Sequence, residues 1–332
     1  MRMNTTAPGS APPKDPRKYA AARWAAGVTG QKSVALKPVS EDASFRRYFR
    51  FTADRRPVVL MDAPPEKENS APFIDIAARL RSAGLHAPEV YAFDLERGFC
   101  LLEDFGDTLY RELISEDSAD TIFMELLKVL DGMARRVDTA QLPEYDEHVL
   151  LQELNLFRTW YLGRHLNRAA DPHEDALWNG VCRLLIDSAR EQPQVFVHKD
   201  FHSCNLLQTP SGPGIIDFQD GLLGPVSYDF VSLVWDRYIA WPRERVEYWM
   251  QQAREVLPVT VSASQWVRYC DLMGLQRNLK IVGIFARLWH RDKKEGYIEM
   301  IPRFYRYLLD VMPRYPEFRE FLELLEQPEC AP

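Results

Sequence analysis

The hydrophobic pattern of this chain changes period once, near Tyr110, and that change limits the folds open to it. Before it, short apolar runs bounded by Gly, Pro and charged residues predict strands over 34–39, 47–52, 58–61, 89–95 and 98–103. Helical spacing over 16–27 offers Tyr19, Ala22 and Trp24 as apolar contacts. Over 72–83, Phe73, Ile76, Ala77 and Leu80 share one face and Gly84 is a stop. After it, helical periodicity dominates: 121–137, 148–165, 175–191, 229–238, 244–256, 264–289 and 303–325. Two short strands interrupt it at 194–198 and 214–218. A β-rich front followed by an α-rich rear predicts an α+β chain with a small N-terminal lobe and a large, mainly helical C-terminal lobe.

Length supports two such units, because 332 residues with 46% apolar content carry ample core. The expected division is a flexible tail over 1–15, a β-rich lobe over 16–104 and a helical lobe over 105–332. A formal net charge of −7 argues against a global grip on nucleic acid or an anionic membrane, while leaving room for local basic patches. The five cysteines are odd in number and form no C-x-x-C pair, so reduced thiols are expected rather than disulfides or structural zinc. No apolar run approaches a membrane span, and residues 1–16 lack a signal-peptide core. A cytoplasmic monomer is the expectation.

The strongest chemical signal is Val197-His198-Lys199-Asp200-Phe201-His202-Ser203-Cys204-Asn205, of the form H-x-D-x-x-x-x-N. Ile215-Ile216-Asp217-Phe218 follows, with Asp217 twelve residues after Asn205. The spacing suits phosphoryl transfer. Asp200 on a loop can accept the proton of an attacking hydroxyl, while Asn205 and Asp217 offer hard oxygen ligands to Mg²⁺. A turn between two short strands would bring the latter pair to one metal. Asp and Asn are also ordinary turn residues, but the combined pattern after a β-rich lobe is far more specific and points to a protein-kinase-like two-lobe fold. For His202 a substrate contact and a structural loop histidine weigh equally. Cys204 has no identifiable basic partner and is read as a packed thiol.

At this point the chain resembles the aminoglycoside phosphotransferase-like family of small-molecule kinases. Within it, the chain is most similar to the bacterial cell-wall-recycling anomeric amino-sugar kinases. The residues that carry the likeness are Asp42 to Arg50, Met61 to Glu66, Leu101 to Asp107, Asp217-Phe218-Gln219-Asp220, Gly224 to Asp229, Gln276 to Lys280 and Phe285 to Leu288. The resemblance implies a β-rich lobe over a helical lobe, ATP and Mg²⁺ as cofactors, and Asp200 as catalytic base with Asn205 and Asp217 on the metal. Glu103 to Phe105 would offer backbone groups to adenine, and Asp42 to Arg47 would lie over the phosphates. Asp229 is read as a helix cap.

Two departures from the kinase pattern stand out. The loop over 40–47 contains no glycine, and Met61 occupies the strand position where a Val-Ala-Ile-Lys pattern places lysine. Ser44 and Arg46 are the candidates to hold phosphate instead. For Arg47, phosphate and a solvated basic edge strand weigh about evenly. On the substrate side, Asp236, Arg237, Tyr238 and Trp241 mix polar and aromatic groups as a sugar site would. Arg277 and Lys280 offer cations to the lactyl carboxylate of N-acetylmuramate. The function implied is phosphorylation of the anomeric hydroxyl of N-acetylmuramate and N-acetylglucosamine in peptidoglycan recycling. The alternatives are a kinase for an aminoglycoside or other small hydroxyl metabolite, or a nucleotide-binding regulatory pseudokinase.

Overall fold

The computed structural model describes residues 15–41, 45–169, 171–236 and 238–327. The tail over 1–14, Asp42, Ser44, Arg237 and Cys330 lie outside the described residues. The chain divides into two compact units: residues 1–78 with 87–106, and residues 79–86 with 107–332.

The first unit begins with α1, Pro16–Val28. Asp15 caps it by accepting from the Lys18 N–H at 2.9 Å, and proline occupies its first turn. The buried face of α1 is Ala21, Ala25 and Ala26, which lets the helix lie close on the sheet. Tyr19, expected inside, is 55% exposed. The strands are β1 (Lys37–Glu41), β2 (Arg47–Ala53), β3 (Arg56–Asp62), β4 (Val90–Asp94) and β5 (Phe99–Glu103), in the antiparallel order β1-β2-β3-β5-β4. The first strand starts later than expected, because Val34 and Leu36 pack on the core without joining the ladder. A two-residue turn joins β2 and β3, with Asp54 and Arg55 at φ of 47° and 67°, the geometry that matches strand twist in tight hairpins. Gly98, at φ 71°, makes the β4–β5 turn, where a Cβ would sit 1.8 Å from the Ala63 carbonyl oxygen. Phe49, Phe51, Val58, Leu60, Phe99 and Leu101 form the core beneath α1.

Between β3 and β4 runs α2, Ala71–Ser82, with Phe73, Ile76, Ala77 and Leu80 buried as its spacing predicts. The division between units falls inside this helix.

The second unit contains α3 (Tyr110–Leu113), α4 (Ala119–Arg136), α5 (Glu147–Leu156) and α6 (Pro172–Arg190), with a π-helical segment Phe157–His165 after α5. Two antiparallel pairs follow: β6 (Gln194–Val197) with β9 (Leu222–Pro225), and between them in the chain the hairpin of β7 (Leu206–Thr209) with β8 (Gly212–Ile215). Then come α7 (Tyr228–Val234), α8 (Arg243–Val256), α9 (Ala263–His290), α10 (Ile301–Val311) and α11 (Arg319–Leu325). The unit is built around α9, which packs against α5, the π segment, α6, α7 and α10.

Three expectations are corrected here. A continuous helix over 148–165 is instead α5 running into π geometry, at the place where Gly283 of α9 presses on the Leu156–Phe157 peptide. A single helix over 303–325 is broken into α10, two 3₁₀ turns and α11, since Pro313 and Pro316 cannot continue a helix. The expected helix over 229–238 ends at Val234. Among the described residues, no helix is long and apolar enough to cross a membrane, and Cys100, Cys182, Cys204 and Cys270 are free thiols.

Candidate active site

His198 to Asn205 form a loop between β6 and β7, and its backbone is held from several sides. The Asp229 carboxylate accepts from the N–H of His198 at 2.6 Å and of Lys199 at 3.1 Å. The Asp236 carboxylate accepts from both the backbone N–H and the hydroxyl of Ser203. Within the loop, the Asp200 carbonyl accepts from the His202 N–H at 3.0 Å and from the Asn205 amide at 2.9 Å. Lys199 stands at φ 75°, an uncommon conformation for a residue with a side chain. This loop presents the Asp200 side chain.

Asp229 corrects an expectation. It is the second residue of α7 and caps nothing; the N-cap is Ser227, without a side-chain cap bond. Its burial pushes the carboxyl up to about 7, against the pull of the two loop N–H donors. His198 is fully buried, and burial holds its pKa below the usual imidazole value. Neutral His198 fits its contacts: Nε2 donates to the Ile216 carbonyl at 3.0 Å, and Nδ1 accepts from the Asp200 N–H at 3.3 Å.

The β7–β8 hairpin joins Asn205 to Asp217, so the two ends meet, with Asn205 Nδ2 3.3 Å from Asp217 Oδ2. The Asn205 amide N–H group serves Asp200 and Asp217, so its carbonyl oxygen is the atom that could act as a metal donor. Asp217 sits at φ 62°, and its Oδ1 accepts from Gln219 at 2.8 Å. One amide oxygen and one carboxylate make a sparse, hard donor set. Among the described residues no group of three or more His, Cys, Asp or Glu can hold a metal. Sparse oxygen donors fit Mg²⁺, which keeps waters and takes phosphate oxygens as further ligands. Loss of hydration would raise the Asp200 carboxyl. Lys280 first, then His202 and Arg277, outweigh this and hold it below the ordinary carboxylate value.

The other sequence candidates are placed as follows. His202 is buried, and its carbonyl accepts from the Asn205 N–H at 2.9 Å. Arg277 is buried on α9, with Nη1 3.4 Å from the Trp235 carbonyl. Lys280 pairs with Glu153 at 2.9 Å and donates to the Tyr228 hydroxyl at 3.1 Å. The second oxygen of Asp236 accepts from the Tyr238 N–H at 3.0 Å. Cys204 does have a basic neighbour: Arg111 Nη1 lies 4.0 Å from its sulfur, brought there by α3.

In the first unit, Arg46 is buried and pairs with Glu68 at 3.1 Å. Its charge also acts on the Cys100 thiol, which burial pushes up to about 12. Cys100 is the residue opposite Met61, the strand position without a lysine, across β3 and β5. Arg47 instead holds Asp62 and Asp15, each at 2.6 Å. Strand β2 is interior, so the basic run is not an edge strand. Glu103 ends β5, with Oε2 accepting from the Glu89 N–H at 3.1 Å. Asp104 before Phe105 is clasped by Arg50 and accepts from the Gly106 N–H at 3.0 Å.

Sequence reasoning missed Glu153 and the anchoring role of Asp229. Glu153 lies in no motif, and Asp229, though inside the Gly224 to Asp229 segment, was read only as a helix cap; each reaches the loop from a separate helix.

A protein from Pseudomonas aeruginosa named N-acetylmuramate/N-acetylglucosamine kinase is 46% identical over 296 residues, covering 87% of each chain. A protein of the same name from Neisseria meningitidis is 38% identical, covering 91% of this chain and 93% of its own. Among solved structures, a thermostable mutant of aminoglycoside phosphotransferase APH(4)-Ia superposes with a TM-score of 0.60 at 17% identity, covering 87% of this chain and 98% of that one. Plasmodium vivax ethanolamine kinase gives 0.64 at 13% identity, covering 86% and 84%. These structures share the protein-kinase-like fold. The model of the phosphotransferase enzyme family matches residues 35–261, with both the Asp200 loop and Asp217 inside that span, and the chain belongs to that family.

Proposed function

We propose that this chain is a cytoplasmic, ATP- and Mg²⁺-dependent sugar kinase acting on the anomeric hydroxyl of N-acetylmuramate and N-acetylglucosamine in peptidoglycan recycling. The observation that carries the reading is the joint presence of Asp200, Asn205 and Asp217 around one hairpin in a chain 46% identical to a kinase of that name. Use of a nucleotide is supported by the fold neighbour APH(4)-Ia, solved with ADP and hygromycin B at a TM-score of 0.53.

In this reading the acceptor oxygen attacks the γ-phosphorus, the bond to the ADP oxygen breaks, and Asp200 takes the hydroxyl proton. An anomeric hydroxyl is more acidic than an ordinary alcohol, so a carboxylate of lowered pKa suffices as base. Asn205 and Asp217 would hold Mg²⁺, whose charge offsets the charge developing on the phosphoryl oxygens. Arg46 would take a phosphate, with Ser44 as a second donor. Glu103 and Phe105 would offer backbone groups to adenine, and the Asp62 and Asp15 partners of Arg47 disfavour it as a phosphate ligand. For the sugar, His202 and Arg277 are the contacts we retain. The partners of Asp236 and Lys280 favour supporting roles.

The test is incubation with Mg-ATP and a panel of amino sugars and aminoglycosides, with ³¹P and ¹³C NMR locating the new phosphate. Phosphate on C1 of the two N-acetyl sugars is expected; transfer to an aminoglycoside alone, or no transfer, overturns the reading. Asp200→Asn is expected to lower kcat by about 10²–10⁴-fold with the melting temperature kept. Chelation should abolish turnover until Mg²⁺ is restored.

A further inference from the structure

Beside the Asp200 loop lies a half-buried cluster of charge centred on Glu153, a residue outside every motif. Glu153, on α5, has a side chain only 12% exposed. Its Oε1 meets Lys280 Nζ at 2.9 Å and Lys199 Nζ at 3.4 Å. Its Oε2 accepts from Gln276 at 3.3 Å and from the Tyr145 hydroxyl. Tyr145 and Tyr228 wall the cluster edge to face, 5.3 Å between centroids, each with a lysine ammonium within 6 Å of its ring: Lys199 at 5.8 Å and Lys280 at 5.7 Å. Two half-buried cations thus share one carboxylate, and the pair of ammoniums exceeds it by one positive charge. Asp200 is the anion beside them.

The covalent geometry makes the sharing matter. Lys199 directly precedes Asp200 and stands in the left-handed region at φ 75°. Its backbone N–H is fixed by Asp229 and its side chain by Glu153. Both ends of that residue are therefore restrained, and the peptide that aims Asp200 is restrained with it. Lys280 is the strongest cationic influence on Asp200. Without Glu153, a mobile ammonium in this low-dielectric pocket would take the base as its own partner.

We propose that Glu153 is a positioning residue for Asp200: by pairing with both Lys199 and Lys280 it sets the backbone that aims the base and keeps the two ammoniums from closing onto it. The inference rests on the reading of Asp200 as the base. It makes Lys280 part of the support of the base rather than a ligand for the sugar.

The test is a charge-balance cycle on the full chain, following kcat and KM for both substrates, with melting temperatures recorded. Glu153→Gln should lower kcat by about 100-fold, with both KM values within about threefold of wild type. Glu153→Asp, which keeps the charge, should retain most of kcat. The double variant Glu153→Gln with Lys280→Met restores the original charge excess and should regain about tenfold over Glu153→Gln. A prop for the fold alone would give no such recovery. Wild-type kcat in Glu153→Gln, or a double variant no faster than the single, overturns the inference. If Glu153→Gln does not fold, Lys280→Met and Lys199→Met decide: each must lower kcat at unchanged KM, and unchanged kcat in either overturns it. Asp200→Asn is measured alongside. Full turnover there brings down the assignment of the base, whereas a dead Asp200→Asn with an unaffected Glu153→Gln removes only the role of Glu153.

Discussion

Both oxygens of Asp229 face backbone N–H groups of the Asp200 loop in a site 4% exposed. Replacing it with Asn turns one acceptor into a donor that points at an N–H, so one loop amide loses its partner. Asp229→Asn should cost about 1–3 kcal/mol in urea unfolding and lower kcat as the loop loosens. The pH dependence has a definite sign. The carboxyl, raised from 3.8 to about 7, binds its proton more tightly in the folded chain. Its contribution to stability is therefore complete below about pH 4 and lost as pH rises through 7. Urea midpoints of wild type measured from pH 4 to 8 should fall more steeply over that window than those of Asp229→Asn.

At the scale of elements, two close approaches set tolerances. A Cβ on Gly283 would lie 2.3 Å from the carbonyl carbon of Leu156 and 2.4 Å from the amide nitrogen of Phe157, both backbone atoms that cannot swing aside. Gly283→Ala should destabilise by about 1–3 kcal/mol or more through overpacking, read as a lower denaturation midpoint. In the first unit, Asp62 is fully buried between Arg17 and Arg47. Asp62→Asn would weaken the pairing of Arg17, while Arg47 keeps Asp15; with both guanidiniums partly exposed to water it should cost about 1–3 kcal/mol. What the sequence revealed divides along the same scale. The Asp200, Asn205 and Asp217 set was legible because one short hairpin joins its members and their spacing is local. The apolar face of α2 was legible for the same reason. The π segment was not, since it begins where a glycine of another helix packs on the Leu156–Phe157 peptide, a contact the local spacing does not carry. Nor was the alanine face of α1, where closeness to the sheet, rather than side-chain size, decides what is buried.

For the whole molecule, the division into units is not one cut. The chain passes between them inside α2, after His86 and after Gly106. The change of pattern near Tyr110 marks only the last passage; nothing in composition marks the other two, since a helix crosses one without a change of period. The short excursion 79–86 is tied into the second unit. His86 accepts through its carbonyl from the Ile215 N–H at 2.9 Å, and its ring lies 3.0 Å from the Thr209 hydroxyl, so it braces the β7–β8 hairpin. Residues 107–332 expressed alone should melt below the full chain, and a peptide spanning 71–90 added in excess should raise that melting temperature.

This interleaving bears on how such chains can be recombined. A chimaera joined at a single crossover near residue 105 would take its brace from one parent and its β7–β8 hairpin from the other. Any substitution at His86 is then inherited with the half of the gene that encodes the β-sheet unit, although its effect is felt at the hairpin. Working hybrids between relatives should therefore need either two further crossovers, one on each side of 79–86, or parents that already agree over those eight residues.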